Sequence, residues 1–106
     1  MNTKKFSIET EKAGTEVRVY LQGDLDLSAA GEFRAQMEPL ANDDSIKLTL
    51  DLAKLTYIDS TGIGILISIL KVRNTAGASL HVEHVPAHIQ KLLDMTGISK
   101  FFEIKK

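Results

Sequence analysis

Apolar and polar residues alternate along Phe6-Ser7-Ile8-Glu9 and again along Val17-Arg18-Val19-Tyr20-Leu21, the period of a strand that buries one face. Ala13-Gly14-Thr15 supplies a turn between them, so the chain is predicted to open with a hairpin. Past Gly23-Asp24-Leu25-Asp26-Leu27 the period changes. Ala29, Phe33, Met37 and Leu40 recur at three- and four-residue steps, which predicts a helix that Ser28 caps and that Pro39 and Asn42 bring to an end. Ile46 to Leu52 alternates once more, and Ala53 to Ile58 carry the chain to a junction at Asp59-Ser60 where a second helix starts. Its Ile63, Leu66, Ile67, Leu70 and Val72 cover much of the circumference, so it is expected to be the most buried helix, ending at Asn74-Thr75-Ala76-Gly77. Leu80 to Val85 reads as a fourth strand. Pro86 opens a third helix through Ile89, Leu92, Leu93 and Met95 to Thr96-Gly97, and Phe101 to Ile104 add a short final strand. Strands alternating with helices after a hairpin predict an α/β fold, a mixed four- to five-stranded β-sheet with packed α-helices. Residues 1–106 read as one domain, without repeats or linkers.

Composition narrows the function classes. The 106 residues are 43% hydrophobic and 25% charged with a formal net charge of -1, which gives no electrostatic footprint for nucleic acid. The Lys4-Lys5 and Lys105-Lys106 pairs are too short to change that. With no cysteine there is no disulfide, thiolate zinc site or cysteine nucleophile. The apolar run from Ile63 to Leu70 is broken by Gly64 and Ser68 and falls short of the ~20 residues of a membrane helix. Met1 to Lys5 lead into strand-like residues rather than a signal-peptide core, so a cytoplasmic protein is expected.

The chemistry concentrates in Leu55-Thr56-Tyr57-Ile58-Asp59-Ser60-Thr61-Gly62-Ile63-Gly64-Ile65-Leu66. A helix starting here leaves its first N–H groups without intrahelical partners, a positive spot suited to an anion or a capping oxygen. Taken alone, Asp59-Ser60-Thr61-Gly62 reads as a helix cap, worth about 1 kcal/mol. Three polar residues and two glycines against an apolar helix exceed what a cap requires. A phosphate attached there would be well placed, and together with the other motifs of the chain Ser60 is the first candidate to carry it. Thr61, branched and one step inside the helix, ranks behind it as a capping or backbone-bonding residue. Gly62 and Gly64 are expected to leave room for close approach by a modifying enzyme. Asp24 and Asp26 read in isolation as turn carboxylates.

Other chemistries fit less well. His81 and His84 are three apart on the predicted strand and should point to opposite faces, while His88 lies past Pro86. Without cysteine or a nearby acidic cluster they do not read as a zinc site. A hydrolase built on Ser60 lacks the Gly-x-Ser-x-Gly elbow, and a nucleotide site lacks a phosphate-binding loop ending in Gly-Lys.

Tyr57-Ile58-Asp59-Ser60-Thr61-Gly62-Ile63-Gly64 resembles the phosphorylation signature of bacterial anti-sigma factor antagonists, which are stand-alone STAS domains. Leu21-Gln22-Gly23-Asp24-Leu25-Asp26 resembles that family's early loop, and Leu92-Leu93-Asp94-Met95-Thr96-Gly97-Ile98 its late helix-turn. The resemblance implies a STAS-like domain over residues 1–106 that binds an anti-sigma factor, usually also a serine kinase, and so frees a sigma factor. It implies that phosphorylation of Ser60 ends the binding and that a PP2C-type phosphatase restores it. It further implies a partner surface of Asp24, Asp26, Asp59, Ser60, Thr61, Gly62, Ile63 and Gly64, with Asp26 orienting the Ser60 hydroxyl or meeting the kinase. No catalysis, cofactor, metal, membrane or direct nucleic-acid contact is expected, and the free chain is expected to be a monomer or weak dimer. The alternatives are a STAS scaffold and a phospho-switch antagonist in a pathway other than sigma control.

Overall fold

The computed structural model describes residues 5–101 and 103–105, with the side chains of Ser99, Phe101 and residues 103–105 set aside. Met1 to Lys4, Phe102 and Lys106 lie outside the described residues, and with them one residue of the expected final strand and one lysine of each terminal pair. The elements are β1 (Phe6–Ala13), β2 (Glu16–Leu25), α1 (Leu27–Ala41), β3 (Lys47–Ile58), α2 (Ser60–Thr75), β4 (Leu80–Glu83), α3 (Ala87–Thr96), a 3-10 turn (Ile98–Phe101) and β5 (Glu103–Lys105). The sheet has five strands in the order β1-β2-β3-β4-β5. The opening hairpin is antiparallel and the other three pairings are parallel.

Alternation dictates the faces. Val17, Val19 and Leu21 of β2 stand in register with or beside Leu48, Leu50 and Leu52 of β3, and all six are buried. β3 is longer than β2 and takes up the excess through register shifts between Tyr20 and Gln22 and between Gly23 and Asp24. Its buried apolar residues therefore pass from two-residue spacing at Leu48, Leu50 and Leu52 to three-residue spacing at Leu55 and Ile58. The bulges aim the end of β3, and so the start of α2, at the start of α1. Phe6 closes the first edge against Phe33 with ring centroids 5.5 Å apart at 86°. Gly23 has φ 94, and a Cβ there would lie 1.9 Å from the Lys5 carbonyl.

Several boundaries differ from the sequence expectation. Asp26, not Ser28, caps α1, because its carboxylate reaches the Ser28 amide while Ser28 already lies in the first turn. β4 stops at Glu83 rather than Val85, since His84 adopts φ 54 and leaves the strand. Pro86 is the N-cap of α3, and Gly97 at φ 77 closes that helix. α2 buries the stripe Gly62, Ile65, Leu66, Ile69, Leu70 and Arg73, with Ile63, Ile67 and Val72 on its half-buried flanks. The final strand begins at Glu103, after the 3-10 turn through Phe101. No helix among the described residues is long and apolar enough to cross a membrane.

Arg73 is 1% exposed and ends the buried stripe of α2. Its guanidinium donates to the carbonyls of Asp43 at 2.7 Å, Ile46 at 2.8 Å and Ser79 at 3.1 Å, with Leu40 at 3.5 Å. Burial pulls its pKa down while Asp43 and Asp44 push it up, and a guanidinium remains charged throughout. One planar donor thus joins the end of α1, the loop into β3 and the loop into β4. Arg73→Ala should cost about 3 kcal/mol, because several buried carbonyls lose a charged donor together. Arg73→Lys should recover only part, since an ammonium cannot span the fork. Urea unfolding midpoints of the two variants check this.

Candidate functional site

The sheet order and parallel crossovers bring the starts of α1 and α2 to the same end of the molecule. Asp59 joins them. Its Oδ1 accepts from the Gly62 amide at 2.9 Å, and its carbonyl accepts from Ile63 at 2.9 Å, which is the cap of α2. Its Oδ2 accepts from the amide of Leu27, the first residue of α1, at 3.2 Å. One carboxylate therefore caps α2 and also takes the first amide of α1, the helix that Asp26 caps, and the dipoles of both helices favour negative charge there.

Because Asp59 is the cap, Ser60 is not. Ser60 is the first residue of α2, exposed, and among the described residues no side-chain hydrogen bond engages its hydroxyl. Thr61 is half-buried. Asp59 also takes the Gly62 and Ile63 amides, so part of the anion-attracting terminus is already occupied. Asp24 accepts the Thr56 hydroxyl at 2.7 Å, and Asp26 accepts the Ser28 amide at 3.0 Å and hydroxyl at 2.6 Å. The contacts of Asp26 thus go to α1 rather than to Ser60. The Ser28 hydroxyl first, then the Ser28 and Ala29 amides and the charge of Lys5, hold the Asp26 carboxyl below its ordinary value.

The two glycines divide in role, and the expectation that both leave room for an incoming enzyme is corrected for Gly62. A Cβ at Gly62 would lie 2.6 Å from the Leu25 carbonyl and 2.8 Å from Ile58 Cγ1, so its missing side chain lets α2 seat on β2 and β3. Gly64 is exposed, and a Cβ there meets nothing within 4 Å.

The histidines reach separate partners: His81 contacts Ser79, His88 contacts the Thr56 carbonyl, and His84 contacts Asp51 at 2.8 Å. None of these contacts engages Ser60. An acidic pair that the sequence reading missed does stand beside His84, because ligand atoms of Asp51, Glu83 and His84 lie within 4.8 Å of one another. Asp51 and Glu83 are brought together by the β3–β4 register. Arg18 of β2 enters the same group, hydrogen-bonded to Glu83 and 3.6 Å from Asp51. Glu83 raises the pKa of Arg18 further. The guanidinium already supplies the positive charge that the carboxylates require, which makes this an internal ion-pair network.

The comparisons agree with this architecture. A family model described as Mlab, STAS domain, matches residues 8–104. The chain belongs to the STAS domain family. It is 26% identical over 99 residues to the anti-sigma-B factor antagonist of Bacillus subtilis, covering 93% of this chain and 90% of that protein. The crystal structure of an anti-sigma factor antagonist from Mycobacterium paratuberculosis superposes with a TM-score of 0.82 at 18% identity, covering 93% of this chain and 84% of that one. The Bacillus cell fate determinant SpoIIAA matches in both forms. The unphosphorylated structure gives a TM-score of 0.74 at 15% identity over 94% of this chain and 88% of that one. The phosphorylated structure gives 0.73 at 16% over 94% and 92%.

Three expectations follow from the geometry. Gly62→Ala should destabilise by about 2 kcal/mol through overpacking, whereas Gly64→Ala should stabilise by up to about 1 kcal/mol through helix propensity; thermal unfolding of the pair checks both. Asp59→Ala removes the α2 cap and the bond to the Leu27 amide and should cost about 2 kcal/mol, with faster hydrogen exchange at Gly62 and Leu27. The stabilisation from Asp26 should be present above its ordinary value of 3.8 and lost as pH falls through its lower folded value, because its pKa is depressed. Asp26→Asn should remove that part of the acid limb in denaturation midpoints measured against pH.

Proposed function

We propose that the chain is an anti-sigma factor antagonist that works by partner switching. Unphosphorylated, it binds an anti-sigma factor that is also a serine kinase, and so frees a sigma factor. Phosphorylation of Ser60 ends the binding, and a PP2C-type serine phosphatase restores it. The chain is then a cytoplasmic substrate of both enzymes, without catalysis or cofactor of its own.

The observation that carries this reading is the division of labour at the start of α2, where Asp59 holds the backbone and leaves the Ser60 hydroxyl exposed. A phosphate there adds about -1.5 to -2 charges without removing a bond on which the fold depends. The chain shares its fold with SpoIIAA in both its unphosphorylated and its phosphorylated form. The names of the Bacillus subtilis relative and of the Mycobacterium structure support the choice of partner class. Ser60, Thr61, Ile63 and Gly64 form the contact surface with Asp24, Asp26 and Asp59 around it, and Gly62 shapes that surface from within. The matched family model is described by Mlab rather than by sigma control, which favours as a second reading a STAS scaffold or a phospho-switch in another pathway.

Incubation with purified anti-sigma kinases and ATP, followed by mass mapping and binding titration, separates these readings. Phosphate is expected on Ser60, with Ser60→Ala unmodified yet binding and Ser60→Asp binding more weakly. Equal affinity of the two variants would overturn the switch. Binding and phosphorylation by none of the anti-sigma kinases would favour the second reading.

A further inference from the structure

Each parallel strand lies beside the one before it, and right-handed crossovers that step in one direction place α1, α2 and α3 on one side of the sheet. Their buried residues join Val19, Leu50 and Val82 in a single core cluster. The other side carries polar residues. Register sets Glu9 opposite Tyr20, Tyr20 beside Asp51 and Asp51 beside Glu83, with Glu11 opposite Arg18 in the next row. Two hollows on this face, of about 380 Å³ and 300 Å³, are lined by residues of strands alone. A largely parallel sheet ordinarily has both faces covered, so a polar face that no helix covers among the described residues reads as a surface for another molecule.

The charges on the face define its occupant. Arg18 is committed to Asp51 and Glu83, and Lys47 stands 3.5 Å from Glu16. Glu9 and Glu11 have no ion pair among the described residues, and both border the larger hollow together with Tyr20. Glu9 lies directly across the ladder from Tyr20, and Glu11 accepts the Tyr20 hydroxyl at 3.3 Å. Lys54 lines the same hollow in register with Gln22, two positions further along β2. We propose that this face is a docking surface for an arginine-bearing segment of another protein, with the guanidinium lying on the Tyr20 ring between the carboxylates of Glu9 and Glu11. A planar cation can stack on an aromatic ring while its edge donates to carboxylates, and the compact ammonium of lysine cannot do both at once. The same charges disfavour a second copy of this chain, because antiparallel pairing of two β1 edges about Thr10 would set Glu9 opposite Glu11. Ser60 starts a helix on the other side of the sheet, so occupation of this face leaves Ser60 exposed, and the arginine site stands whether or not the antagonist reading does.

A hexa-arginine peptide titrated against the isotope-labelled full chain by NMR is the probe, with hexalysine beside it at the same salt. Saturable amide shifts are expected along β1 and β2 and not along α1 or α2, with hexalysine binding at least about threefold more weakly. Glu9→Gln should weaken hexa-arginine about threefold with an unchanged melting temperature. Tyr20→Leu should weaken it by about the same factor, whereas Tyr20→Phe, which keeps the ring, should retain most of the parental affinity. Glu38→Gln removes the same charge from the exposed side of α1 and should leave binding unchanged. Equal affinity for the two peptides, shifts centred on the helices, or equal losses in Glu38→Gln and Glu9→Gln would reduce the attraction to net charge and overturn the arginine site, as would the absence of saturable binding.

Discussion

The carboxylate of Asp59 is the constraint on which the arrangement depends. It accepts from Gly62 in its own helix and from Leu27 at the start of another, so the N-termini of α1 and α2 share one counter-charge. Two parallel helices with adjacent N-termini repel through their dipole ends, and a shared anion offsets that repulsion while satisfying amides that water would otherwise take. The sheet makes the sharing possible. Right-handed crossovers between neighbouring parallel strands set the helices side by side, and the bulges in β3 bring Asp59 within reach of Leu27.

The far ends of the same helices present the opposite problem and meet the opposite charge. Arg73 lies in the last turn of α2 and directs its guanidinium to the end of α1 and to the loops that follow both helices. The Leu40 carbonyl near the end of α1 and the loop carbonyls of Asp43, Ile46 and Ser79 carry partial negative charge, so the buried cation is held there by backbone acceptors. The helix pair is thereby held by an anion at one end and a cation at the other, and its apolar stripe needs only to fill the space between.

Element types were legible because period-two and helical spacings alternate cleanly along the chain, and the exposed Ser60 was legible because polar residues and glycines crowd one helix start. What resisted reading was register. Nothing local says that Asp51, Glu83 and Arg18 meet, because their proximity depends on which strands pair and on where β3 bulges. Arg73 looks like an ordinary basic residue near a helix C-terminus until the loops after α1 and α2 fold over it. Ser28 and Asp26 were exchanged as caps for a different reason: both are strong capping residues two positions apart, and the choice depends on where the end of β2 delivers the chain.

On the proposed reading of Ser60 as phosphoacceptor, its separation from the cap has a consequence for how such a switch would evolve and operate. A serine that served as N-cap would lose its hydrogen bond geometry on modification, so regulation would disturb the fold. Here the cap belongs to Asp59 and the close packing to Gly62, whose missing Cβ lets the first turn sit against Leu25 and Ile58. Among the described residues no side-chain hydrogen bond engages the hydroxyl of Ser60, which is exposed in the first turn of α2. On that proposal, modification at that atom would change what the surface offers a partner while leaving the same hydrogen bonds beneath it, and such a switch would need no second conformation to work.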